Sequence, residues 1–287
     1  VGCTRLGATR LQALADEYGV ETVKAVMANL LRVTASRLKA ELRDWPDGKA
    51  EAEGFLDHDG FDKETPVRIH VRAIKTGERL TLDFSDSSDQ TRGPVNVNTP
   101  TAQAVSLLAV LAATDPTIPV NAGLLDAVSF VIPPGKVVSP KFPATMNHYF
   151  PTSHLVYNCV LAALARFNPA RAVAPSGLGS GALAVGYARA RSGKPMVQYE
   201  LIINSLGGTS RHDGASIVMS MNHYTPSTPV EIVETEYPIL VRRFDIWPDS
   251  AGAGRQRGGM GFVREYEFLD DCVLTLRASN RRFGAWG

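Results

Sequence analysis

The chain has 287 residues, of which 44% are hydrophobic and 21% are charged. A chain of this length and composition buries a sizeable core, which excludes intrinsic disorder and a coiled coil. Its 30 lysine and arginine residues against 29 aspartate and glutamate residues give a formal net charge of +1. This balance excludes recognition of nucleic acid or of an anionic membrane surface through bulk charge.

Residues 1–50 are predicted to form a helical arm. Leu11, Leu14 and Tyr18 recur at helical spacing, and Gly19 follows them as a helix terminator. A second, longer helix is predicted after Gly19. Its apolar stripe consists of Val23, Val26, Met27, Leu30, Leu31, Leu38 and Leu42.

Residues 51–150 are predicted to form an α/β segment that starts with a β-hairpin. Apolar and polar residues alternate over 67–73 and again over 80–84. Because Gly77 lies between these two runs, they are expected to pair across a tight turn with one face buried.

The same segment continues with a helix and a short strand. Thr99 is the predicted N-cap of the helix, since Pro100 after it suits the first helical position. The helix is expected to end near Thr114, and the strand to cover 128–132.

Residues 151–287 are predicted to be rich in strands and to form one compact unit with the preceding segment. A helix starts at Pro151, and short polar turns between the later strands favour antiparallel pairing. The predicted strands cover 183–187, 197–203, 230–234, 239–246, 262–269 and 273–277. The expected fold class is α+β, with an N-terminal helical segment, mainly antiparallel mixed sheets and a β-rich C-terminal half.

The cysteine pattern favours a reducing compartment. Cys3, Cys159 and Cys272 lie far apart and form no CxxC pair, so they are expected to be reduced and buried as small hydrophobic residues. The longest apolar run, 104–113, is too short to span a bilayer. A cytoplasmic location without membrane association is therefore predicted.

The densest polar segment of the chain is the loop at 83–96. Asp83, Asp86 and Asn96 lie in it, between a predicted strand and the next helix, where functional side chains are often positioned. Three acidic residues within seven would suit a hard cation, but their spacing matches no calcium loop. Side chains that cap their own turns are the alternative interpretation.

The histidines offer a second set of candidates. His148 and His154 flank the start of a predicted helix, and each is interpreted either as an acid–base group or as a neutral structural residue. His212 and Asp213 lie in a glycine-flanked loop, and His223 follows shortly after. Adjacent Ser, His and Asp residues do not form a catalytic triad, because neighbours in sequence lack the geometry.

The glycine-rich segment 249–261 contains Arg255 and Arg257 and would suit an anion through backbone amides and guanidinium groups. It lacks a GKS or GKT triplet and precedes a predicted strand, whereas a nucleotide phosphate site requires a helix N-terminus. Tight turns beside a sheet are the alternative interpretation of its glycines.

Three segments, taken together, resemble the hydantoinase B/oxoprolinase family along residues 1–287. They are DFSDSSDQTRGPVN at 83–96, NHYTPSTPVEIVETEYP at 222–238 and DSAGAGRQRGGMGFVRE at 249–265. The resemblance implies a B-type subunit that acts with an ATP-binding A-type subunit in a cytoplasmic hetero-oligomer. Such complexes open cyclic amides or, in one branch, carboxylate ketones, after phosphorylation of a carbonyl or enolate oxygen.

The resemblance also implies ATP with Mg and a divalent metal, Mn or Zn, in the complete complex. Family members place that metal on a His-x-x-Asp segment, and no histidine here is followed by aspartate at that distance. The metal and the nucleotide are therefore expected outside this chain, which is interpreted as the carboxy-terminal two thirds of the subunit. At Asp86 the family more often has glycine, which makes close substrate approach to that loop doubtful.

No residue is assigned a catalytic role from sequence. Seven residues are candidates for orienting a polar substrate or an adjoining subunit: Asp83, Asp86, Asn96, His212, Asp213, Arg255 and Arg257. Ring opening and ketone carboxylation both remain open. So do a non-catalytic interaction module and a self-sufficient hydrolase that uses His148 or His154.

Overall fold

The computed structural model describes residues 2–177, 181–188, 193–202, 204–218, 227–279 and 281–286. These residues form the predicted α+β fold, with helices first and sheets after them. The helices are α1 Gly2–Tyr18, α2 Val20–Arg43, α3 Thr99–Ala113, α4 Phe150–Leu164 and α5 Val230–Glu236. The strands are β1 Gly48–Leu56, β2 Val67–Thr76, β3 Arg79–Asp83, β4 Val128–Val131, β5 Gly181–Tyr187, β6 Met196–Ile202, β7 Ile239–Ile246, β8 Phe262–Phe268 and β9 Cys272–Arg277.

The two N-terminal helices form the predicted arm, and only the second half of α2 is anchored to the core. No residue of α1 is buried, whereas Leu38 and Leu42 of α2 are fully buried. Gly19 joins the helices with a φ of 85°, a left-handed conformation that favours glycine. At the anchored end, the guanidinium of Arg37 bonds the carboxylate of Asp115 at 2.6 Å.

The first sheet has the strand order β1-β2-β3-β4. The predicted hairpin is confirmed as β2 and β3, which pair antiparallel across a turn at Gly77. One feature differs from prediction, because strand β1, with few apolar positions in its sequence GKAEAEGFL, was not predicted. Strand β4 pairs parallel with β3, which makes the sheet mixed, as predicted.

Helices α3 and α4 pack against each other, and α4 covers β1 and β2. Nearly every residue of α4 is buried, as expected for a helix that is apolar on all sides. Helix α3 begins at Thr99, one residue before the predicted start at Pro100, because its N-cap is Asn98. The side-chain oxygen of Asn98 accepts a hydrogen bond from the backbone N–H of Thr101 at 2.9 Å, so the Thr99 cap was wrong.

Replacement of Asn98 by alanine is expected to lower the free energy of unfolding by about 1 kcal/mol, because the Thr101 N–H then loses its acceptor. Urea denaturation measures this change. Thr99→Ala is the matched control and should change stability by less than about 0.5 kcal/mol. A larger loss at Thr99 than at Asn98 would contradict the observed cap.

The second half contains a three-stranded sheet of order β6-β5-β9 and the hairpin β7–β8. The predicted antiparallel pairing holds for both. The strand predicted at 230–234 is wrong, because these residues belong to helix α5. Its β-branched residues favour a strand, but burial of Val233 on one side of a short helix overrides that preference.

The three cysteines differ in environment. Cys159 is fully buried, and burial raises the pKa of its thiol. Cys272 is half-buried and Cys3 is exposed, so burial of all three, as expected from sequence, was wrong. None of the described helices combines the length and the apolar character needed to cross a bilayer. The domain limits at residues 50 and 150 stay a prediction.

Candidate functional site

The main cavity lies in the second half of the chain and has a volume of about 880 Å³. Ligand pockets usually range from about 300 to 1,000 Å³. Strands β5, β6, β8 and β9 supply Leu183, Glu200, Arg264 and Leu276 to its walls. The loops that complete it include parts of the glycine-rich segment 249–261.

Strand β6 turns its polar residues towards the interior. Gln198 and Glu200 are buried, whereas Val197 and Tyr199 are 66% and 53% exposed. Across the interface, Arg264 and Tyr266 of β8 lie on the side that faces Glu200. The usual pattern of apolar residues facing inwards is therefore inverted along β6.

Glu200 is the centre of a buried polar cluster. Its carboxylate accepts hydrogen bonds from Arg264 Nη1 at 2.8 Å and from the Tyr266 hydroxyl at 2.6 Å. The Gln198 amide donates to the other carboxylate oxygen at 2.5 Å and accepts from the Tyr187 hydroxyl at 3.0 Å. Burial and the hydrogen bond to Glu200 raise the pKa of Tyr266, which keeps its hydroxyl protonated as a donor.

Sequence reasoning missed this cluster as a site. Arg264 drew attention only as part of a family-like segment, and Glu200 and Tyr266 were not singled out. A charged residue at an inward position of a strand is the available signal, because such a residue requires a buried partner. The partner itself becomes visible only when β6 and β8 are placed together.

The predicted carboxylates of the 83–96 loop meet one arginine of β2. Arg72 lies 3.6 Å from the Asp83 carboxylate and 3.1 Å from the Asp86 carboxylate, and it also bonds Glu51 at 2.6 Å. The Asp86 side chain is 52% exposed. The structure thus brings both predicted aspartates together at the edge of the first sheet, as members of an ion-pair network.

Asn96 has a different environment from the two aspartates, because it is fully buried. Its Oδ1 accepts from the Thr91 backbone N–H at 2.8 Å. Its Nδ2 donates to the backbone carbonyl oxygens of Thr91, Gly93 and Thr145 at 2.9–3.0 Å. These bonds connect the 83–96 loop to the backbone at Thr145. Asn96 therefore holds the backbone of the loop in position and does not face solvent.

Asp213 and Arg257, predicted from separate loops, lie together. The Asp213 carboxylate accepts from the Arg257 backbone N–H at 2.8 Å, and the Arg257 Nε lies 3.8 Å away. His212 directly precedes Asp213 in the sequence, and Arg255 lies just before Arg257; both side chains are exposed. The contact joins the two glycine-containing loops.

Glycine is required where these loops meet. A Cβ at Gly259 would lie 2.3 Å from the Ala215 carbonyl oxygen, and one at Gly214 would lie 2.0 Å from the Leu206 carbonyl oxygen. No side chain fits at such distances from backbone atoms. Close backbone packing along the cavity wall therefore explains these two glycines.

The other histidines do not converge on the main cavity. His58 and His148 line a separate cavity of about 210 Å³, where burial and the nearby Arg277 charge lower the pKa of His148. His154 is buried in α4. His70, on the polar side of β2, is buried with Nε2 3.3 Å from Glu51. His223 lies outside the described residues.

The resemblance seen in the sequence implies a divalent metal ion and ATP in the complete complex. The His, Cys, Asp and Glu residues in the described part of the chain form no group of three or more that could hold a metal ion. Within the 249–261 segment, the backbone leads into strand β8 rather than into a helix. It therefore lacks the helix N-terminus on which nucleotide phosphates are commonly bound.

Comparison with known proteins identifies the family. The chain is 29% identical to the B-type subunit of a putative D-/L-hydantoinase from Pseudomonas sp. (strain NS671), over 100% of this chain and 50% of that protein. It is 25% identical to the acetophenone carboxylase delta subunit of Aromatoleum aromaticum, over 88% of this chain and 38% of that protein. The crystal structure of the ATP-dependent caprolactamase from Pseudomonas jessenii matches 93% of this chain and 47% of that chain, with a TM-score of 0.82 and 26% identity.

The chain thus spans about half the length of the curated relatives it matches. Residues 1–287, the whole of the present sequence, match the family described as hydantoinase B/oxoprolinase. The resemblance of the 83–96, 222–238 and 249–265 segments is confirmed, and this chain belongs to the hydantoinase B/oxoprolinase family.

Proposed function

We propose that this chain is part of the B-type subunit of an ATP-dependent hydrolase that opens cyclic amides together with an ATP-binding A-type subunit. The observation that carries the proposal is the match in fold and sequence to the ATP-dependent caprolactamase. The similarity to a hydantoinase subunit supports it, because hydantoins and caprolactam both contain a cyclic amide.

Two exposed apolar surfaces support a place in a larger assembly. The α1 side chains Leu6, Leu11, Leu14 and Tyr18 are between 45% and 58% exposed. On the outer face of the sheet β6-β5-β9, Val197 and Val273 are 66% and 73% exposed and both lie beside Gly186. Contiguous apolar surface of this kind marks protein interaction sites. The proposal assigns these surfaces to contacts within the complex.

The predicted site residues take two roles in this proposal. The exposed ion-pair groups, Asp86 on Arg72 and Asp213 on Arg257, contact an adjoining subunit, together with the neighbouring His212 and Arg255 and with the partly buried Asp83 beside Arg72. Asn96 holds the 83–96 loop in place. The main cavity receives a small molecule, since it combines apolar walls with a few convergent polar groups.

The proposal assigns ATP with Mg, and a divalent Mn or Zn ion, to other parts of the complete complex. ATP would supply the activation of the ring carbonyl, by making its oxygen part of a better leaving group. Stoichiometric metal bound tightly to this chain alone would contradict the assignment.

A complex of the natural full-length B-type chain and its A-type subunit is expected to open a cyclic amide with ATP consumption. Hydantoin, 5-oxoproline and caprolactam are the substrates to test, with ring-opened product and ADP measured in parallel. Omission of either subunit should abolish turnover, because the proposal divides the site machinery between them. ADP release without ring opening of any substrate would contradict the proposal.

A second candidate function is ketone carboxylation, which the similarity to the acetophenone carboxylase subunit favours. Incorporation of labelled bicarbonate into acetone or acetophenone separates it from ring opening. If the complex is inactive in both assays, the non-catalytic interaction module is the interpretation that remains. Unchanged turnover in His148→Ala and His154→Gln variants of an active complex would remove the self-sufficient hydrolase that depends on these histidines.

A further inference from the structure

Arg264 has unused hydrogen-bonding capacity inside the main cavity wall. Its side chain is 9% exposed, and Nη1 bonds Glu200. Nε and Nη2 are both buried, and neither has a hydrogen-bond partner within the described part of the chain. Buried donors without acceptors cost about 1–3 kcal/mol each, and more when the group is charged. Because buried donors are normally hydrogen-bonded, these two nitrogens beside a ligand-sized cavity are expected to bond an acceptor that the cavity holds.

The two unpartnered nitrogens define the shape of that acceptor. Nε and Nη2 lie on one edge of the planar guanidinium, and their N–H groups point in parallel. Such a fork matches the two oxygens of a carboxylate, which accept two parallel hydrogen bonds. Because Nη1 is already bonded to Glu200, this edge of Arg264 is the one available to a ligand.

Glu200 is the counter-charge of Arg264, but it bonds a different edge of the guanidinium from the fork. Its carboxylate accepts hydrogen bonds from Arg264, Tyr266 and Gln198, and Nη1 is the Arg264 nitrogen that it uses. The guanidinium also lies over the rings of Phe244 and Tyr266, at 4.8 and 5.3 Å from their centroids. These contacts fix the orientation of the guanidinium plane.

The remaining walls suit an apolar body attached to the carboxylate. Leu183, Leu276 and Trp286 line the same cavity, and Glu200 and Arg264 are its charged lining residues among those that the structure describes. Because Nε and Nη2 are buried, binding at the fork requires a neighbouring side chain to move.

We propose that the main cavity is a binding site for a small organic carboxylate, held by Nε and Nη2 of Arg264 with its apolar part against Leu183, Leu276 and Trp286. This proposal rests on the proposed function in one respect, since it specifies the small molecule assigned there to the main cavity, but the binding itself needs neither ATP nor a partner subunit. A failure of ring opening in the assay above therefore leaves this proposal standing, and the reverse also holds.

The test uses the natural full-length chain and two probes of equal shape, benzoate and benzamide. Isothermal titration calorimetry is expected to detect benzoate binding and to give an affinity for benzamide lower by about tenfold or more, because the amide replaces one acceptor oxygen with a donor. Equal affinity for the two probes would overturn the proposal, and so would absence of benzoate binding, which would leave water as the acceptor.

Arg264→Lys keeps the positive charge and removes the fork, so benzoate affinity should fall by about tenfold. Arg242→Lys is the matched control, since Arg242 forms an exposed ion pair with Glu267, and it should bind benzoate as the parent does. Unchanged affinity in a folded Arg264→Lys variant would overturn the proposal.

A structure of the parent protein with 4-bromobenzoate keeps the test decisive if Arg264→Lys fails to fold. The bromine anomalous signal locates the probe without reference to any variant. The carboxylate is expected within hydrogen-bond distance of Nε and Nη2 of Arg264. A probe bound only at another place in the protein would contradict the proposal.

Discussion

Replacement of Glu200 by alanine is expected to lower the free energy of unfolding by about 3–5 kcal/mol. Glu200 is 7% exposed and is the only carboxylate bonded to Arg264 among the described residues. Its removal leaves a buried guanidinium without a counter-charge and takes the acceptor from the Tyr266 hydroxyl. Urea denaturation of the protein measures the loss.

Two comparisons separate the buried charge from a general effect of losing a glutamate. Glu267→Ala removes a carboxylate from strand β8, which also carries Arg264, but its pair with Arg242 is about half exposed, so the expected loss is at most about 1 kcal/mol. Replacing Glu200 and Arg264 together by methionine should cost less than Glu200→Ala, because no uncompensated charge remains. Similar losses for Glu200→Ala and Glu267→Ala would contradict the buried pair.

The parts of the fold that sequence predicts well are those whose signal is local. The hairpin β2–β3 is an example, because its alternation and the glycine at 77 occur within one short window. The prediction failed at 230–234, where α5 forms, because local preference for a strand lost to packing of Val233. The prediction also missed β1, because charged residues and glycine interrupt the apolar pattern of its sequence. The strand is stabilised by its contacts with β2 and α4.

The candidate site was less accessible to sequence for a related reason. Asp213 and Arg257 were each selected because conspicuous loops carry them, and the structure joins them. Glu200 and Arg264 lie within strands rather than in conspicuous loops. They form an ion pair only because β6 and β8 come together in the fold. Apolar residues alternate with Gln198 and Glu200 in β6, so the pattern alone does not tell which side is buried. Contacts between distant strands decide it.

Replacement of Gly259 by alanine is expected to destabilise the protein by about 3 kcal/mol, near the upper end of the cost of overpacking. The new Cβ would lie 2.3 Å from the Ala215 carbonyl oxygen and 2.8 Å from the Ser205 Cβ. Backbone has to move to relieve the first clash. That movement strains the hydrogen bond from the Gly259 N–H to the Leu206 carbonyl, which is 2.9 Å long.

The same loop supplies the control. Gly252 has no atom within 4 Å of the position a Cβ would take, and its φ does not lie in the left-handed region. Gly252→Ala should therefore change the free energy of unfolding by less than about 0.5 kcal/mol. Both glycines line the main cavity, so the pair separates the close approach at 259 from a shared need for loop flexibility. Equal losses in the two variants would favour flexibility, and a loss at 259 alone ties the glycine to the backbone contact that forms the cavity wall.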